Sequence, residues 1–533
     1  MKYVLYGLPC AGKTTVLNGV VISVLHGRAG LDRLAGGNFN ILTDDRKNEM
    51  RKQYAAELIT REDTFISDGH YCFLDDVVFT DNDGAAYDVF LYLYTEPAII
   101  KERLMVSEKN ARYKDISEER IRKWQLSEIE GLRKECHSRN KDFYVVSDII
   151  SEDFQAFINK IENGYSSYKL AETIVQKIRA IYPEPCDLHI CDGDKTIIVQ
   201  DSFRICTDNY VTHVFDGDFY TGYQSLKFTE ETREMKYDLT KLGALNLNSM
   251  VMDKIEGHNT VVITSGIPAL WEHIGKRFKL NNIISNTMIS ADTKYYVVKL
   301  LQSYGYRITA YGDSKNDLYM LKQADEGFLC ISERISRSLK DVDTSGIKLL
   351  CSKSPVILSQ IRDDLSEDIA VCKSTSGING SRLAIAHLKL GEQLGRYIQT
   401  VLPNADTAIL VLERGGRFFG DGIYMGFGGV FYSYNPKKED VPKIAQSRVL
   451  LVDSVVNTGK SVLEIIRKLK DENADTEIYI AANVVQERVI GMLSDYKLFT
   501  IRVSQNSYVG ARQSEQKGGK GPDTADRLFN YIS

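Results

Sequence analysis

The chain lacks the features that mark secreted, low-complexity and membrane-spanning proteins. Its 533 residues include only ten prolines, and its nine cysteines form no C-x-x-C pair. An odd number of scattered cysteines argues against a disulfide framework and favours reduced thiols in the cytosol. No apolar run approaches the roughly 20 residues of a membrane-spanning helix. We therefore expect a cytoplasmic protein without a membrane partner.

A strong charge of either sign is also missing. The net charge of −5 gives no general reason to expect a surface that binds polyanions, although a local basic site is still allowed. The chain opens on an apolar strand and a glycine loop rather than on a signal peptide. It has no internal repeat or low-complexity tract, and its apolar share of 43% is ordinary for a globular protein.

The length exceeds what one hydrophobic core supports, and a rule of roughly 150 residues per domain predicts three or four domains. Three regions each mix short apolar strands with amphipathic helices, which predicts an α/β fold with three tandem domains. We place these domains at residues 1–181, 184–350 and 355–533. The clearest linker is Tyr182–Pro185, because two prolines interrupt the pattern there.

The first region begins with a phosphate-binding motif. An apolar strand, Lys2–Tyr6, leads into the sequence G-x-x-x-x-G-K-T and then into a predicted helix over 16–25. Backbone N–H groups of such a loop curl round a phosphate, with the lysine on the β/γ-phosphates and the threonine hydroxyl on Mg²⁺. The residues that we expect to bind ATP here are Gly7, Gly12, Lys13, Thr14 and Thr15.

Carboxylates that follow two apolar runs are candidates for the acceptor side of this site. Asp68 closes a predicted strand and is a candidate to bind Mg²⁺-coordinated water or to activate the acceptor. Asp44 is a candidate to bind the acceptor or to act as a base. Asp45 is explained equally well as a helix N-cap, and His70 as a packed loop residue. Arg112 lies in a polar stretch where a lid could close positive charge over the phosphates; a solvated charged face explains it as well.

These motifs resemble the small P-loop kinases of the adenylate-kinase-like group over about the first 150 residues. The resemblance rests on Gly7–Thr15, on the Asp68-Gly-His70 segment and on the segment around Arg103. The cluster Asp44-Asp45-Arg46 also resembles the acceptor site of phage-type polynucleotide kinases, with a slightly different spacing. A nucleotide, a polynucleotide 5′ end and another small alcohol all remain open as acceptors.

The second region contains paired aspartates at the end of an apolar run. Because residues i and i+2 of a strand share a face, Asp192 and Asp194 are expected to converge, one as a nucleophile on phosphorus and one for protons. An acidic turn after a core strand explains that stretch alone equally well. Downstream come a strand that ends at Thr264, a helix that starts near Lys294, and a strand that ends in the cluster 313–317.

These four sites stand in the order of the haloacid-dehalogenase-type phosphatases, which residues 188–335 resemble. The resemblance implies that Asp192 is the nucleophile, Asp194 the general acid–base, and Thr264 and Lys294 the groups that hold the phosphoryl group. It further implies Mg²⁺ ligands, which we take as Asp192, Asp194, Asp313 and Asp317. The residues from about 200 to 258 look like a helical cap of the phosphoserine-phosphatase branch, and packing explains its many aromatics better than base stacking.

The third region contains an apolar strand, an acid and a small-residue loop that opens a helix, within Arg448–Ser461. Such a loop can wrap a 5′-phosphate while the acid binds ribose hydroxyls, although a plain strand turn would look the same. Together with the segments Thr375–Arg382, Leu412–Gly416 and Gly521–Phe529, it resembles the uracil phosphoribosyltransferases.

That resemblance implies which residues would bind phosphoribosyl pyrophosphate (PRPP). Arg382 and Arg414 would meet the pyrophosphate, Asp453 the ribose and Asp523 the Mg²⁺–pyrophosphate. The 5′-phosphate would be held by the loop residues Asn457, Thr458, Gly459, Lys460 and Ser461. The base would lie against Tyr508, Val509 and Gly510, but an added polar stretch at 511–520 leaves the identity of the base open.

The sequence thus predicts a multifunctional enzyme of nucleotide metabolism that uses Mg²⁺, ATP and PRPP on small nucleotides and bases. Its activities would be those of a kinase, a phosphatase and a phosphoribosyltransferase, with uracil to UMP favoured for the last. One alternative is polynucleotide 5′-kinase and 3′-phosphatase end repair, the only reading that brings in nucleic acid. Another is a regulator that senses PRPP or nucleotides. A homodimer through the C-terminal region is also open.

Overall fold

We describe the fold from a computed structural model, which describes residues 1–147, 149–331, 334–340, 342–505, 515–516, 519–520 and 523–531. Contacts group the chain into two compact units. One comprises Met1–Leu247, Gly257–Ala310 and Lys315–Asp325, and the other comprises Asn248–Glu256, Tyr311–Ser314 and Glu326–Ser533. In the ranges given above, no helix is both long enough and apolar enough to cross a membrane.

The first region forms a five-stranded sheet in the order β2-β3-β1-β6-β7, and all of its pairs are parallel. Its central strand is the apolar run that precedes the glycine loop, which is buried because helices cover both faces of a parallel sheet. The strands are β1 Lys2–Tyr6, β2 Ser23–Leu25, β3 Phe65–Asp68, the small pair β4 Cys72–Phe73 and β5 Asp76–Val77, β6 Val89–Tyr94 and β7 Asp142–Ser147. The helices are α1 Lys13–Leu17, α2 Gly27–Leu34, α3 Asp44–Thr60, α4 Asp81–Ala86, α5 Pro97–Val106, α6 Glu118–Arg139, α7 Ser151–Glu162 and α8 Ser167–Ile181.

The helix predicted over 16–25 is wrong. The first helix ends at Leu17, and Ser23–Leu25 pairs with β3 as an edge strand. One long-range and one local cause explain the difference. Gly19 lies so close to Ser151 that an added Cβ would be 2.4 Å from the serine Cβ, and the β-branched residues Val20–Ile22 and Val24 favour an extended backbone.

The second region contains a six-stranded sheet in the order β10-β9-β8-β11-β12-β13. Its strands are β8 Asp187–Cys191, β9 Asn259–Thr264, β10 Ile283–Ser285, β11 Arg307–Gly312, β12 Glu326–Ile331 and β13 Lys348–Cys351. Its helices are α9 Ser202–Cys206, α10 Gly222–Thr232, α11 Ser249–Ile255, α12 Pro268–Phe278, α13 Ala291–Ser303 and α14 Lys315–Gln323. Helices therefore occupy the predicted cap range, and the cap aromatics Phe203 and Phe219 are buried by packing.

The third region forms a six-stranded sheet in the order β14-β19-β18-β17-β15-β16, again with parallel pairs. Its strands are β14 Val356–Ile357, β15 Thr407–Leu412, β16 Val430–Tyr434, β17 Arg448–Val456, β18 Glu477–Gln486, β19 Lys497–Ser504, and the short pair β20 Glu515–Gln516 and β21 Gly519–Lys520. Its helices are α15 Ser366–Cys372, α16 Gly380–Gln399, α17 Arg417–Phe427, α18 Lys460–Glu472, α19 Glu487–Ile490 and α20 Thr524–Leu528. The three parallel sheets confirm the predicted α/β class.

Helices α16 and α17 pack with their backbones almost in contact. An added Cβ on Gly391 would lie 2.2 Å from the carbonyl oxygen of Phe419, and one on Gly422 would lie 2.1 Å from that of Leu388. Only glycine permits this approach, and each helix carries two glycines four residues apart on the contact face. The pair covers one face of the third sheet near β15 and β17.

Arg448 is a buried cation at the start of β17. Its guanidinium donates to the carbonyl oxygens of Thr344 (3.0 Å) and Ile347 (2.8 Å), and its Nε lies 3.1 Å from Oε2 of Glu477. Removing the guanidinium would take one hydrogen bond from each of these groups and would leave the Glu477 carboxylate without its cation. Arg448 therefore ties the segment before β13 to two central strands of the third sheet.

We expect Arg448→Met to lower the free energy of unfolding by about 3 kcal/mol, because it leaves the half-buried carboxylate of Glu477 without its cation and removes the hydrogen bonds that the guanidinium donates. Arg396→Met is the matched control, since Arg396 is exposed and pairs with Glu392 along one helix; its cost should stay within about 0.5 kcal/mol. Urea unfolding of both variants measures the difference. Equal costs would contradict the role assigned to Arg448.

Candidate functional site

The glycine loop between β1 and α1 has the curled backbone that phosphate binding requires. Gly7 and Gly12 adopt φ values of 150° and 99°, and Cys10 adopts 64°. A Cβ on Gly7 would lie 2.9 Å from the carbonyl oxygen of Leu93, so the loop also passes close to β6. The loop is held from outside, because Arg103 donates to the carbonyl oxygen of Cys10 at 3.1 Å. Glycine is needed for both the curl and the close approach.

Lys13 is buried inside this curl. Its ammonium donates to the carbonyl oxygens of Gly7 and Leu8, the latter at 3.2 Å. Burial lowers the pKa of Lys13 to about 8, although the nearby carboxylates Glu128 and Asp68 oppose the shift. The charge is therefore costly to hold without an anion, which fits a lysine that meets phosphates. Thr14 and Thr15 follow it in α1 and are exposed.

The structure separates the predicted acceptor residues. Asp68 ends β3 beside β1, where its Oδ1 accepts the N–H of Gly27 at 2.7 Å, and its charge acts on Lys13. Asp44 instead lies on the exposed first turn of α3, with its side chain 94% exposed and 3.1 Å from Lys47. The N-cap explanation of Asp45 is wrong, because Thr43 is the N-cap of this helix. Only Asp68 of these carboxylates lies near the glycine loop.

Arg112 and His70 are held by aromatic contacts and by burial. Arg112 is exposed in a short turn at 111–113, with its guanidinium over the rings of Tyr113 (4.6 Å) and Phe73 (5.5 Å). His70 is packed in the interior, and burial together with the charge of Lys13 lowers its pKa. Its Nδ1 has no hydrogen-bond partner among the described residues.

Sequence reasoning missed two buried polar residues on α6. Glu128 accepts the N–H groups of Tyr71 (3.2 Å) and Cys72 (3.0 Å), and Gln125 donates to the carbonyl oxygen of Thr95 at 2.8 Å. Thr95 in turn donates to the carbonyl oxygen of Ala11 in the glycine loop. Both polar residues share the buried face of the helix with apolar neighbours. That helical spacing was the available signal.

In the second region, Lys294 joins two of the predicted carboxylates. It is fully buried at the start of α13, and its ammonium lies 2.5 Å from Oδ1 of Asp192 and 2.6 Å from Oδ1 of Asp317. Burial, with the charge of Asp317, raises the pKa of Asp192 to about 6. The Lys294 ammonium opposes this shift and keeps the carboxyl group able to ionise near neutral pH.

The backbone at Asp194 differs from the strand that the pattern predicted, although the charge of Asp192 does act on Asp194. Strand β8 ends at Cys191, so the two aspartates lie in the turn beyond it and the rule of alternating faces does not apply. The turn passes through Lys195 at φ 57° and lets Asp194 accept the N–H of Ser202 at 2.6 Å. Burial and the nearby charge of Asp201 raise the pKa of Asp194 to about 7.

Three carboxylates of this region form a group that suits a divalent cation. Oxygen atoms of Asp192, Asp313 and Asp317 all lie within 4.8 Å of one another, and Asp194 is not one of the three. Thr264 ends β9 and its hydroxyl accepts the N–H of Gly266 at 3.0 Å. Hard oxygen ligands at this spacing are what Mg²⁺ prefers, so the residues fit the predicted ion.

In the third region, the predicted loop leaves the middle of the sheet. Asp453 pairs with Ala482 inside β17, and the strand continues to Val456 before Gly459, at φ 74°, opens α18. Burial raises the pKa of Asp453 to about 7, and the charge of Asp523 adds to the shift. The loop side chains lie near solvent, with Thr458, Lys460 and Ser461 exposed and Asn457 half-buried.

The other residues that we expect to bind PRPP are Arg382, Arg414 and Asp523. Asp523 is the N-cap of α20, and Arg414 lies 3.1 Å from Asp526 in the first turn of that helix. The charge of Arg414 also acts on Asp523 and opposes the rise in its pKa that burial causes. Arg382 is exposed in the first turn of α16. Asp453, Asp523 and Arg414 are therefore brought together. Within the part of the chain that the structure describes, no contact links Arg382 to them.

The base-binding residues 508–510 lie outside the described residues. At the ends of β18 and β19, a polar cavity of about 510 Å³ is lined by residues that include Lys373, Thr375, Glu487 and Arg502. The cavity opens at the carboxyl edge of the parallel sheet, on which the Asp453 loop also lies. Ligands in open α/β sheets bind at this edge.

Comparison with protein families finds a match to uracil phosphoribosyltransferase over residues 427–530. This range contains the Asp453–Ser461 loop and Asp523. A comparison with curated protein sequences returns no match.

Solved structures with similarity to parts of the chain include a kinase, a phosphatase and a phosphoribosyltransferase. Shikimate kinase from Acinetobacter baumannii in complex with shikimate is 16% identical, covers 31% of this chain and 95% of its own, and has a TM-score of 0.25. A phosphoserine phosphatase in a phospho-aspartyl intermediate analogue is 12% identical, with coverages of 28% and 87% and a TM-score of 0.19. Xanthine-guanine-hypoxanthine phosphoribosyltransferase from Helicobacter pylori is 16% identical, with coverages of 22% and 82% and a TM-score of 0.19.

The buried carboxyl group of Glu128 generates a pH prediction. Burial raises its pKa from 4.5 to about 7, so the folded protein binds this proton more tightly than the unfolded chain. The stability that results is complete below pH 4.5 and is lost as the pH rises through 7. Glu128→Gln keeps an oxygen acceptor but cannot ionise, so it should gain stability relative to the wild type by about 3 kcal/mol between pH 4.5 and 8.

Unfolding midpoints of both proteins at pH 5 and pH 8 measure this difference. Glu118→Gln removes an exposed carboxylate from the same helix and serves as the control, with no pH-dependent difference expected beyond about 0.5 kcal/mol. A Glu128→Gln difference that is the same at both pH values would show that folding does not raise the pKa of Glu128.

Proposed function

We propose that the chain is a multifunctional enzyme of nucleotide metabolism with three Mg²⁺-dependent sites. The first transfers phosphate from ATP to a nucleotide or nucleoside, the second hydrolyses a phosphomonoester, and the third forms a nucleoside monophosphate from PRPP and a base. The observation that carries this proposal is the Asp453–Ser461 loop, which lies within the residues that match the uracil phosphoribosyltransferase family. Uracil is the favoured base and UMP the favoured product.

The phosphatase activity is supported by the arrangement of the two aspartates. The carboxylate of Asp192 attacks phosphorus, the ester P–O bond breaks, and Asp194 gives its proton to the leaving alcohol oxygen. Water then attacks the aspartyl-phosphate and loses a proton to Asp194, which releases phosphate and restores both groups. The pKa values of about 6 for Asp192 and about 7 for Asp194 suit this division of roles, since the nucleophile must be ionised while the acid keeps its proton.

The cations of this site have separate tasks. Mg²⁺, held by Asp192, Asp313 and Asp317, would neutralise charge on the phosphoryl oxygens. Lys294 holds Asp192 and Asp317 at hydrogen-bond distance and keeps two carboxylates close together in the interior. Thr264, at the end of the neighbouring strand β9, would donate its hydroxyl to the phosphoryl group.

The transferase activity is supported by acidic and basic groups that lie together. Asp453 would accept from the ribose hydroxyls, the loop at 457–461 would donate N–H groups to the 5′-phosphate, and Arg414 would pair with pyrophosphate. The base displaces pyrophosphate at the anomeric carbon, so one C–N bond forms as one C–O bond breaks. The polar cavity beside Arg502 is the candidate base pocket.

The kinase activity is supported by Lys13 inside the curled loop and by Asp68 near it. Lys13 would pair with the transferring phosphate, Thr14 would hold Mg²⁺, and Asp68 would order the acceptor or metal-bound water. A panel of nucleosides, nucleotides and a 5′-hydroxyl oligonucleotide, tested with wild type and with Lys13→Ala, identifies the acceptor. Lysine-dependent transfer to the oligonucleotide alone would replace this proposal with nucleic-acid end repair.

Asp192→Asn should abolish hydrolysis of p-nitrophenyl phosphate, by about a thousandfold or more, because an amide cannot act as the nucleophile. The matched control is Asp187→Asn, an exposed aspartate at the start of the same strand, which should keep the wild-type rate. Release of p-nitrophenol at fixed Mg²⁺ measures both. Full activity in Asp192→Asn would exclude the aspartyl-phosphate route.

Pyrophosphate release from PRPP with a panel of free bases tests the transferase. We expect uracil to support turnover and Asp453→Ala to reduce it by tenfold to a hundredfold, since hydrogen bonds to charged groups are worth about 1.5–3 kcal/mol. Asp475→Ala, an exposed aspartate before β18, is the control and should not change the rate. No release with any base would refute this part of the proposal.

A further inference from the structure

The kinase-like region packs directly on the elements that carry the phosphatase site, and the contact centres on Arg133 of α6. This side chain is 1% exposed. Its Nη1 donates to the hydroxyl of Tyr319 at 2.7 Å and its Nη2 donates to the carbonyl oxygen of Phe219 at 2.7 Å. Its Nε lies 3.2 Å from Oδ1 of Asp292. One buried guanidinium thus reaches α13, α14 and the cap segment.

The positions of these partners relate them to the catalytic groups. Asp292 precedes Lys294 by two residues on α13, and Tyr319 follows Asp317 by two residues on α14. Two residues turn an α-helix by roughly 200°, so each helix presents its site residue on one face and its Arg133 partner on the opposite face. The Lys294–Asp317 pair joins the helices on the site side, and Arg133 joins them on the other.

His137 and Glu130 complete this cluster, in which Arg133 is the cation beside Asp292. His137, one turn further along α6, lies 2.8 Å from the same Oδ1 of Asp292 and stacks on Tyr295. Burial lowers the pKa of His137, so the imidazole is neutral at pH 7 and donates its proton in the hydrogen bond. Arg133 is then the cation that balances Asp292. The hydroxyl of Tyr319 donates onward to Glu130 at 2.7 Å.

The cap is held by the same region. Strand β7 is an edge of the first sheet, and its residue Val145 bonds to two cap side chains, donating to Thr221 at 3.2 Å and accepting from Gln224 at 2.9 Å. Tyr223 and Leu226 of α10 belong to the hydrophobic core of the first sheet. The cap therefore packs on the kinase-like region and is held in place by it.

We propose that Arg133, a residue of the kinase-like region, is a positioning residue for the phosphatase site. It sets the separation of α13 and α14, and with it the distance between Lys294 and Asp317, while it holds the cap through the Phe219 carbonyl. This proposal rests on the proposed phosphatase activity. Arg133 does not touch the reacting atoms, so its effect must appear through Mg²⁺ binding and through both kcat and KM.

The test uses the full chain with p-nitrophenyl phosphate at varied Mg²⁺. Arg133→Met should lower kcat/KM by roughly tenfold to a hundredfold, because small displacements of positioned groups carry such costs. It should also raise the Mg²⁺ concentration for half-maximal rate, since Asp317 is displaced. Arg133→Lys keeps the positive charge but lacks the planar guanidinium with its several N–H donors. It should recover part of the loss in kcat/KM and part of the loss in Mg²⁺ affinity.

Lys299→Met is the matched control. Lys299 also bonds from α13 to α6, donating to the carbonyl oxygen of His137 at 2.5 Å, but it lies more than one helical turn beyond Lys294. Its loss should leave the Mg²⁺ dependence within twofold of the wild type. If Arg133→Met matches Lys299→Met in Mg²⁺ dependence and in kcat/KM, Arg133 has no positioning role and the proposal is overturned.

Tyr319→Phe covers the case in which Arg133→Met does not fold. It removes one hydroxyl from the cluster and leaves the Arg133–Asp292 pair in place, so we expect a smaller loss of Mg²⁺ affinity, about threefold. An unchanged Mg²⁺ dependence in this variant would equally overturn the proposal. A wild-type protein without any phosphatase activity would instead refute the proposed function itself, which separates the two failures.

Discussion

Negative charge gathered in the interior of a protein needs a cation held beside it, and this constraint shapes the chain in several places. Lys294 lies between Asp192 and Asp317, Arg133 lies beside Asp292, and Arg448 lies beside Glu477. Each buried carboxylate would otherwise pay a large desolvation cost. Removing the cation leaves that cost in place, so these pairs fix which elements must stay together even where they add little net stability.

The same constraint separates sites for chemistry from sites for structure. Arg448 donates to carbonyl oxygens of the segment before β13 and to a carboxylate on the neighbouring strand β18, so its hydrogen bonds are made within the protein. Lys13, by contrast, donates to carbonyl oxygens of its own loop rather than to a carboxylate, and burial lowers its pKa to about 8. A buried cation with that environment is prepared for an anion from outside.

Local chemistry was predictable from the sequence, and long-range packing was not. The glycine loop before Lys13 and the loop after Asp453 each need only a few consecutive residues, and both were found at the predicted strand-to-helix turns. The helix predicted over 16–25 failed because Gly19 contacts a residue more than a hundred positions away. Arg133 and Glu128 were missed for a related reason, since a helical pattern shows which face is buried but not what lies against it.

The packing of the cap limits how the gene for this chain can be divided. Tyr223 and Leu226 complete one face of the first hydrophobic core, and Phe219 belongs to the core on the other face of the same sheet. A gene split near residue 184 would therefore divide both cores, and each product would expose an apolar surface to water. A hydrophobic dye would report that surface on the separated pieces. The first two regions therefore cannot readily be separated and joined to new neighbours one at a time.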